Sequence, residues 1–370
     1  MKSFQTPILS IHGAVTCGLA MSLLSLCLLS GLDTPAAYAN FTFGTPVSLG
    51  PTVNTGAGNY APCVSSDGLE LYFHRDPGEI WMARRASPDG EWSPPSNLGP
   101  PINGPSYDGA PCLSADRLSL YFFSDRPGTL GNTDLWVATR ATVNDNWGTP
   151  VNLGAPVNSA REDAGPSISV DGLELYFSSN RTGGYGSRDL WVTTRANVND
   201  NWGTPVNLGP VIHTSHSEAW PSISPDGLVL FFSSSIGTVD GWELCMTRRA
   251  TRNDAWGAPI NLGPPVNTTT WEVGSKVSPD GSMLYWHSPR PGGFSACDMW
   301  QAPILPVVDF NGDGKVDIAD VFIMLEHWLT DYPLCDIGPY AWGDDIVDAQ
   351  DLIVLAEHIA NTPGDVNDVQ

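Results

Sequence analysis

Basic residues are scarce: the 370 residues carry 17 Lys plus Arg against 40 Asp plus Glu, for a formal net charge of −23. A phosphate-binding face needs clustered Lys and Arg, so nucleic acid is excluded as a partner. Cysteine is also sparse, with 7 in the whole chain, too few for a disulfide scaffold of this length. Long apolar runs are confined to the N-terminus, where Ala14 to Leu32 follows Lys2 and precedes Ala37-Tyr38-Ala39. This pattern reads as a signal peptide over 1–39, cleaved before Asn40; an uncleaved anchor is the alternative. The mature chain is therefore expected to be secreted or in the cell envelope or periplasm, with no stable membrane span. Cys63, Cys112, Cys245, Cys297 and Cys335 then remain, an odd number that leaves at least one free or paired with another chain. No Gly-x-Ser-x-Gly elbow or phosphate-binding loop occurs, and motifs assign no catalytic residue.

Glycine, proline and tryptophan are plentiful, at 38, 32 and 14. Many turns with many aromatics suit short strands and exclude a helical bundle. The phrase Asp171-Gly-Leu-Glu-Leu-Tyr-Phe177 recurs from Asp67, Asp116, Asp226 and Asp280, at steps of 49, 55, 55 and 54 residues. A second phrase, Trp202-Gly-Thr-Pro-Val-Asn-Leu-Gly209, recurs from Trp92, Trp147 and Trp256. Periods of this size mark propellers or solenoids. The third unit resolves into strands at 166–170, 173–179, 189–195 and 202–208, the second with period-2 alternation and the last an edge strand. The fifth unit ends near Ala302 without a Trp-Gly phrase, which stands instead as Phe43-Gly-Thr-Pro-Val-Ser-Leu-Gly50. An N-terminal strand that completes the last blade removes the open edge. The expectation is an all-β, five-bladed β-propeller of four-stranded antiparallel blades over 40–304. The repeats resemble those of TolB-like, WD-like propellers, carried by Ser-Pro-Asp-Gly (224–227), Leu-Tyr-Phe-Ser-Ser (175–179) and Asp-Leu-Trp (189–191). That resemblance implies a binding or scaffold domain.

Residues 309–370 hold 14 of the 40 acidic groups and one basic group, Lys315. In 309–320, Asp309, Asn311, Asp313, Asp317 and Asp320 fall at loop positions 1, 3, 5, 9 and 12, and Lys315 offers its carbonyl at position 7. Oxygen ligands at this spacing suit calcium, the one cofactor expected. A helix is expected from Ile318 to Leu329. The loop and helix resemble half of a dockerin, so 305–370 is read as a small α-helical, dockerin-like module. A second half at 336–360 holds Asp344, Asp348 and Asp351 and a helix from Ala349 to Ala360. It is too long for the standard spacing, and Asp345 stands where the turn glycine belongs. The resemblance implies a cohesin-like partner. The Ser-Thr-like pair typical after position 9 is replaced by Ile318-Ala319 and Ala349-Gln350, so another envelope protein or an intramolecular docking role stays open.

Eight residues before each hairpin Asp stand Asn59, Asp108, Asp163, Glu218 and Glu272. They are expected as a ring at one mouth of the channel, just before the innermost strands. Three roles are open: structural hydrogen bonding to a neighbouring blade, a cation or ligand site, and general acid/base chemistry. Trp220 and Trp271 adjoin these acids and suit stacking on a carbohydrate. The other recurring tryptophans (81, 136, 191, 300 and 92, 147, 202, 256) are read as packing between blades. His213 and His216 with Glu218 make a weak zinc candidate, and His74 and His287 are packing or rim residues. The favoured function is a non-catalytic propeller that binds a ligand or protein and attaches to a partner through its calcium module. The alternative is an extracellular carbohydrate-active enzyme of glycoside hydrolase type, with channel carboxylates as acid and base.

Overall fold

The computed structural model describes residues 41–361 except 57, 236–240, 313–314, 333 and 345. The signal peptide expected at 1–39 lies outside the described residues. No helix among them is long and apolar enough to cross a membrane.

Five antiparallel sheets form five blades. The third comprises Asp163–Ile168, Glu174–Ser179, Asp189–Thr194 and Val206–Asn207, paired in that order. The innermost strand thus starts at its acid, three residues earlier than expected. The outermost is only two residues long, because Gly203-Thr204-Pro205 holds Trp202 outside the ladder. The second strand does not alternate in burial: Leu175, Tyr176 and Phe177 are all buried. Each blade is covered on both faces by its neighbours, so both sides of a central strand are apolar. The Asp-Gly hairpins have a common build. Asp171 Oδ1 accepts from Ser169 Oγ at 2.6 Å and Leu173 N at 3.0 Å, while Gly172 takes φ +71°.

The ring closes as expected. Val47–Ser48 pairs with Asp298–Pro306 at Gln301 and Trp300, and Phe41–Phe43 pairs with the same strand at Pro306 to Ile304. That strand runs past Ala302 because Phe41–Phe43 covers its extension.

Beyond it lies a small helical module of α1 (Ile318–Glu326) and α2 (Ala349–Asn361). α1 stops three residues short of the expected Leu329, which adopts φ +59°. The module has its own core of Phe310, Met324, Cys335, Ile337, Val347 and Leu355. It is docked on the propeller. Trp342 is fully buried, packs edge-on against Phe41 and Phe231, and donates from Nε1 to Asp226 at 2.6 Å. Its carbonyl accepts from Arg248 at 2.6 Å, and Tyr340 stacks on its ring above Gly281.

Candidate functional site

The repeat acids are the first residues of the innermost strands, and each backbone N–H donates to the preceding blade. Asn59 reaches Cys297 O, Asp108 reaches Gly78 O and Asp163 reaches Thr133 O, while Glu218 and Glu272 reach Arg188 O and Trp242 O, all at 2.8–2.9 Å. Their side chains are enclosed rather than displayed around an open mouth: Asp108, Asp163 and Glu272 are 0% exposed and Glu218 is 1% exposed. A buried carboxylate needs a partner, and an arginine of the same blade supplies it. Arg126 meets Asp108 at 2.6 Å, Arg181 meets Asp163 at 2.6 Å and Arg290 meets Glu272 at 3.0 Å. Arg75 Nε donates to Asn59 Oδ1 at 2.6 Å. The arginine therefore comes from the acid's own blade, where a neighbouring blade was expected.

These arginines also account for one set of tryptophans. Each guanidinium lies between a second-strand aromatic and a third-strand Trp, as Arg181 does over Phe177 (4.9 Å) and Trp191 (5.2 Å). The other set stacks under Arg85, Arg140, Arg195 and Arg249 at 4.2–4.5 Å. Within it, Trp147 and Trp256 also meet Tyr72 and Tyr176 of the preceding blades. Packing between blades was expected; the cation stacking was not.

Glu218 breaks the pattern. It accepts from Thr214 Oγ1 at 2.8 Å, Thr214 N at 3.3 Å and Ser234 Oγ at 3.4 Å, without an arginine. Burial, aided by the charge of Asp189, raises its pKa above the ordinary 4.5. The signal was present in sequence: Arg126, Arg181 and Arg290 each follow their acid by 18 residues, and Ile236 occupies that place in the fourth unit. His213 likewise replaces the amide of Asn103, Asn158 and Asn267. Its Nε2 accepts from Leu190 N at 2.8 Å, and burial lowers its pKa against the pull of Asp189 at 3.7 Å. His216 is exposed, and His213, His216 and Glu218 do not converge as a zinc set.

One mouth of the channel carries a collar of aromatic faces. It runs Trp271–His287–Tyr60–His74–Tyr107–Phe123–Trp220, with successive ring centroids 5.2–5.9 Å apart. Tyr60, Tyr107, Trp220 and Trp271 are partly exposed, and Tyr60 donates to Asp76 at 3.1 Å. Ring closure brings His74 and His287 to the two sides of Tyr60. Burial pushes both histidines down to about 3, so they are neutral. Trp220 owes its place to a bulge that recurs in every innermost strand. Ala61, Ala110, Gly165, Trp220 and Gly274 all have φ between +47° and +67°. Only blade 4 puts a bulky residue there, against the bare Cα of Gly165.

In the C-terminal module, Asp320 is fully buried. Its oxygens accept from Phe310 N (2.8 Å), Asn311 N (3.4 Å) and Asp317 N (2.9 Å), while Asp317 Oδ1 caps α1 through Ala319 N (2.8 Å). Asp309 Oδ1 accepts from Gly312 N at 2.8 Å. The second half repeats this. Asp351 accepts from Ile337 N, Gly338 N and Asp348 N at 2.6–2.7 Å, and Asp336 Oδ1 accepts from Asp344 N at 2.7 Å. Asp351 thus matches Asp320, and Asp336 matches Asp309. The extra length of the second loop is the segment that carries Tyr340 and Trp342 to the propeller. Donors in the first loop are all oxygen, a set that fits calcium. Asp313, Gly314 and Asp345 lie outside the described residues, and among the described residues no group of three His, Cys, Asp or Glu converges.

No family model matches the chain, and no curated protein matches it. Solved structures do. Over 69% of this chain and 79% of its own, a TolB-type protein of Agrobacterium tumefaciens matches at TM-score 0.43 and 15% identity. An α-L-arabinofuranosidase of Podospora anserina, solved with cellotriose, matches at TM-score 0.48 and 13% identity over 72% and 98%. One from Lactobacillus brevis matches at TM-score 0.47 and 14% identity over 69% and 91%. The chain is a five-bladed β-propeller that resembles TolB and the arabinofuranosidase propellers.

Proposed function

We propose that this is an exported, non-catalytic propeller that binds carbohydrate on its aromatic collar. The observation that carries this reading is the run of aromatic faces from Trp271 to Trp220 around one channel mouth, with Asp76 beside Tyr60. Flat aromatic faces with adjacent polar groups suit the apolar faces and hydroxyls of sugar rings. The C-terminal module is the docking element of this reading. Calcium held by the 309–320 loop keeps α1 in place. A cohesin-like or other envelope protein meets the exposed apolar stripe of Ile318, Phe322, Leu325 and Leu329, which are 47–71% exposed. Affinity electrophoresis in gels containing arabinoxylan or cellulose derivatives tests the collar. Retardation is expected for the wild type and is expected to vanish in Trp220→Ala/Trp271→Ala; equal retardation of both proteins refutes the site.

The second reading, glycoside hydrolysis, takes its activity from the names of the arabinofuranosidases. It needs two carboxyl groups that reach a bound sugar. Enclosure of all four repeat acids, three of them on arginine, supports binding over hydrolysis.

A further inference from the structure

Four residues after the acid of each blade stand Cys63, Cys112, Ser167, Ser222 and Lys276. They face a cavity of about 80 Å³ at the hairpin end of the channel, opposite the collar. Three of the five side chains do one task, accepting a backbone N–H from the next blade. Cys63 Sγ takes Leu113 N at 3.4 Å, while Cys112 Sγ lies 4.0 Å from Leu113 O. Ser167 and Ser222 take Ile223 N and Val277 N at 3.1 and 3.0 Å. Serine suffices for this task in blades 3 and 4, so the thiols of blades 1 and 2 are not demanded by the fold. Lys276 closes the ring differently. Its ammonium donates to Pro166 O at 2.9 Å and to Pro221 O at 3.2 Å, and it lines the same cavity as both cysteines. The Cys63 sulfur lies 3.4 Å from the nitrogen of Leu113, the residue that follows Cys112.

We propose that Cys63 and Cys112 form a peroxide-reactive dithiol in this cavity, with Cys112 as the attacking sulfur, Cys63 as the resolving one and Lys276 as the charge partner. The cavity favours a thiolate on Cys112: the neighbouring Cys63 thiol and the Lys276 charge draw its pKa down against burial, while that of Cys63 is raised. Burial, aided by nearby carboxylates, pushes Cys245 and Cys335 up to about 12 and raises Cys297 as well. In the first step the Cys112 thiolate attacks the distal oxygen of a hydroperoxide. The O–O bond breaks, leaving a sulfenic acid on Cys112, and the departing oxygen takes a proton from water. The Cys63 sulfur then displaces hydroxide from that sulfenic acid. The disulfide forms, and the Cys63 proton leaves with the hydroxide as water. Two thiols are oxidised and one peroxide is reduced, to alcohol or water. Both cysteines are only 5–6% exposed and line the cavity, so the oxidant must be small.

The test uses the reduced full chain and hydrogen peroxide as the probe. Peptide mapping should find one Cys63–Cys112 disulfide, with Cys245, Cys297 and Cys335 still alkylated after unfolding. Cys63→Ser, which installs the residue of blades 3 and 4, should halt at a sulfenic acid on Cys112 that dimedone traps. Lys276→Met should slow the reaction about tenfold and move its pH midpoint upward. Oxidation of Cys112 no faster than that of Cys245, or no trapped sulfenic acid in Cys63→Ser, overturns the proposal.

Discussion

A buried carboxylate in this ring is tolerable only with its partner, and that fixes what single substitutions do. Arg181→Met leaves Asp163 enclosed and unpaired and also removes a cation from between Phe177 and Trp191. Loss of about 3 kcal/mol in a denaturant titration is expected, and a loss near zero contradicts the pairing. Glu218 has the opposite character. Its pKa is raised in the fold by burial, so its contribution is complete below the ordinary 4.5 and declines as pH rises through the folded value. Glu218→Gln should therefore gain stability over the wild type from acid to neutral pH. A constant difference across that range sinks the assignment. The acids themselves were legible from repeat spacing. Their enclosure was not, because a one-dimensional period places a residue along a strand without saying which arginine covers it. The 18-residue spacing to that arginine was available and points to the odd blade.

At the scale of elements, turns were the most readable part and strand ends the least. Asp-Gly hairpins carry their geometry locally, in an Asp side chain and a glycine of positive φ. The two-residue outer strands and the extension of the last inner ladder to Pro306 depend on what lies alongside, which no local phrase encodes. The first module loop was readable in the same local way, since its Asp320 ties together the loop's start and the cap of α1. Asp320→Ala should shorten α1 and cost about 1–2 kcal/mol of module stability, removing half of the capping box together with the acceptor that ties down the loop's start. Circular dichroism with calcium and then with chelator should show the wild type losing helix and the variant losing much less. Equal helix with and without chelator in the wild type removes the calcium assignment. The extra length of the second loop, which read as degradation, carries Tyr340 and Trp342 to the propeller.

For the whole molecule, closure and docking decide how the parts share stability. The N-terminal strands seal blade 5, and Trp342 then sits against Phe41 of that seal. Trp342→Ala should cost about 3–5 kcal/mol at this junction. Proteolysis near residues 307–317 should quicken while the propeller's own unfolding transition persists; unchanged cleavage would show that the module is held elsewhere. Docking through Trp342 leaves the apolar residues Ile318, Phe322 and Leu325 of α1 exposed, so a partner bound there would not have to compete with a ligand on the collar. Binding without turnover is tested by incubating the protein with a polysaccharide that retards it and counting reducing ends against time. The expected result is retention that depends on Trp220 and Trp271 with no rise in reducing ends; a rise abolished by Asp163→Ala/Glu218→Ala would contradict it.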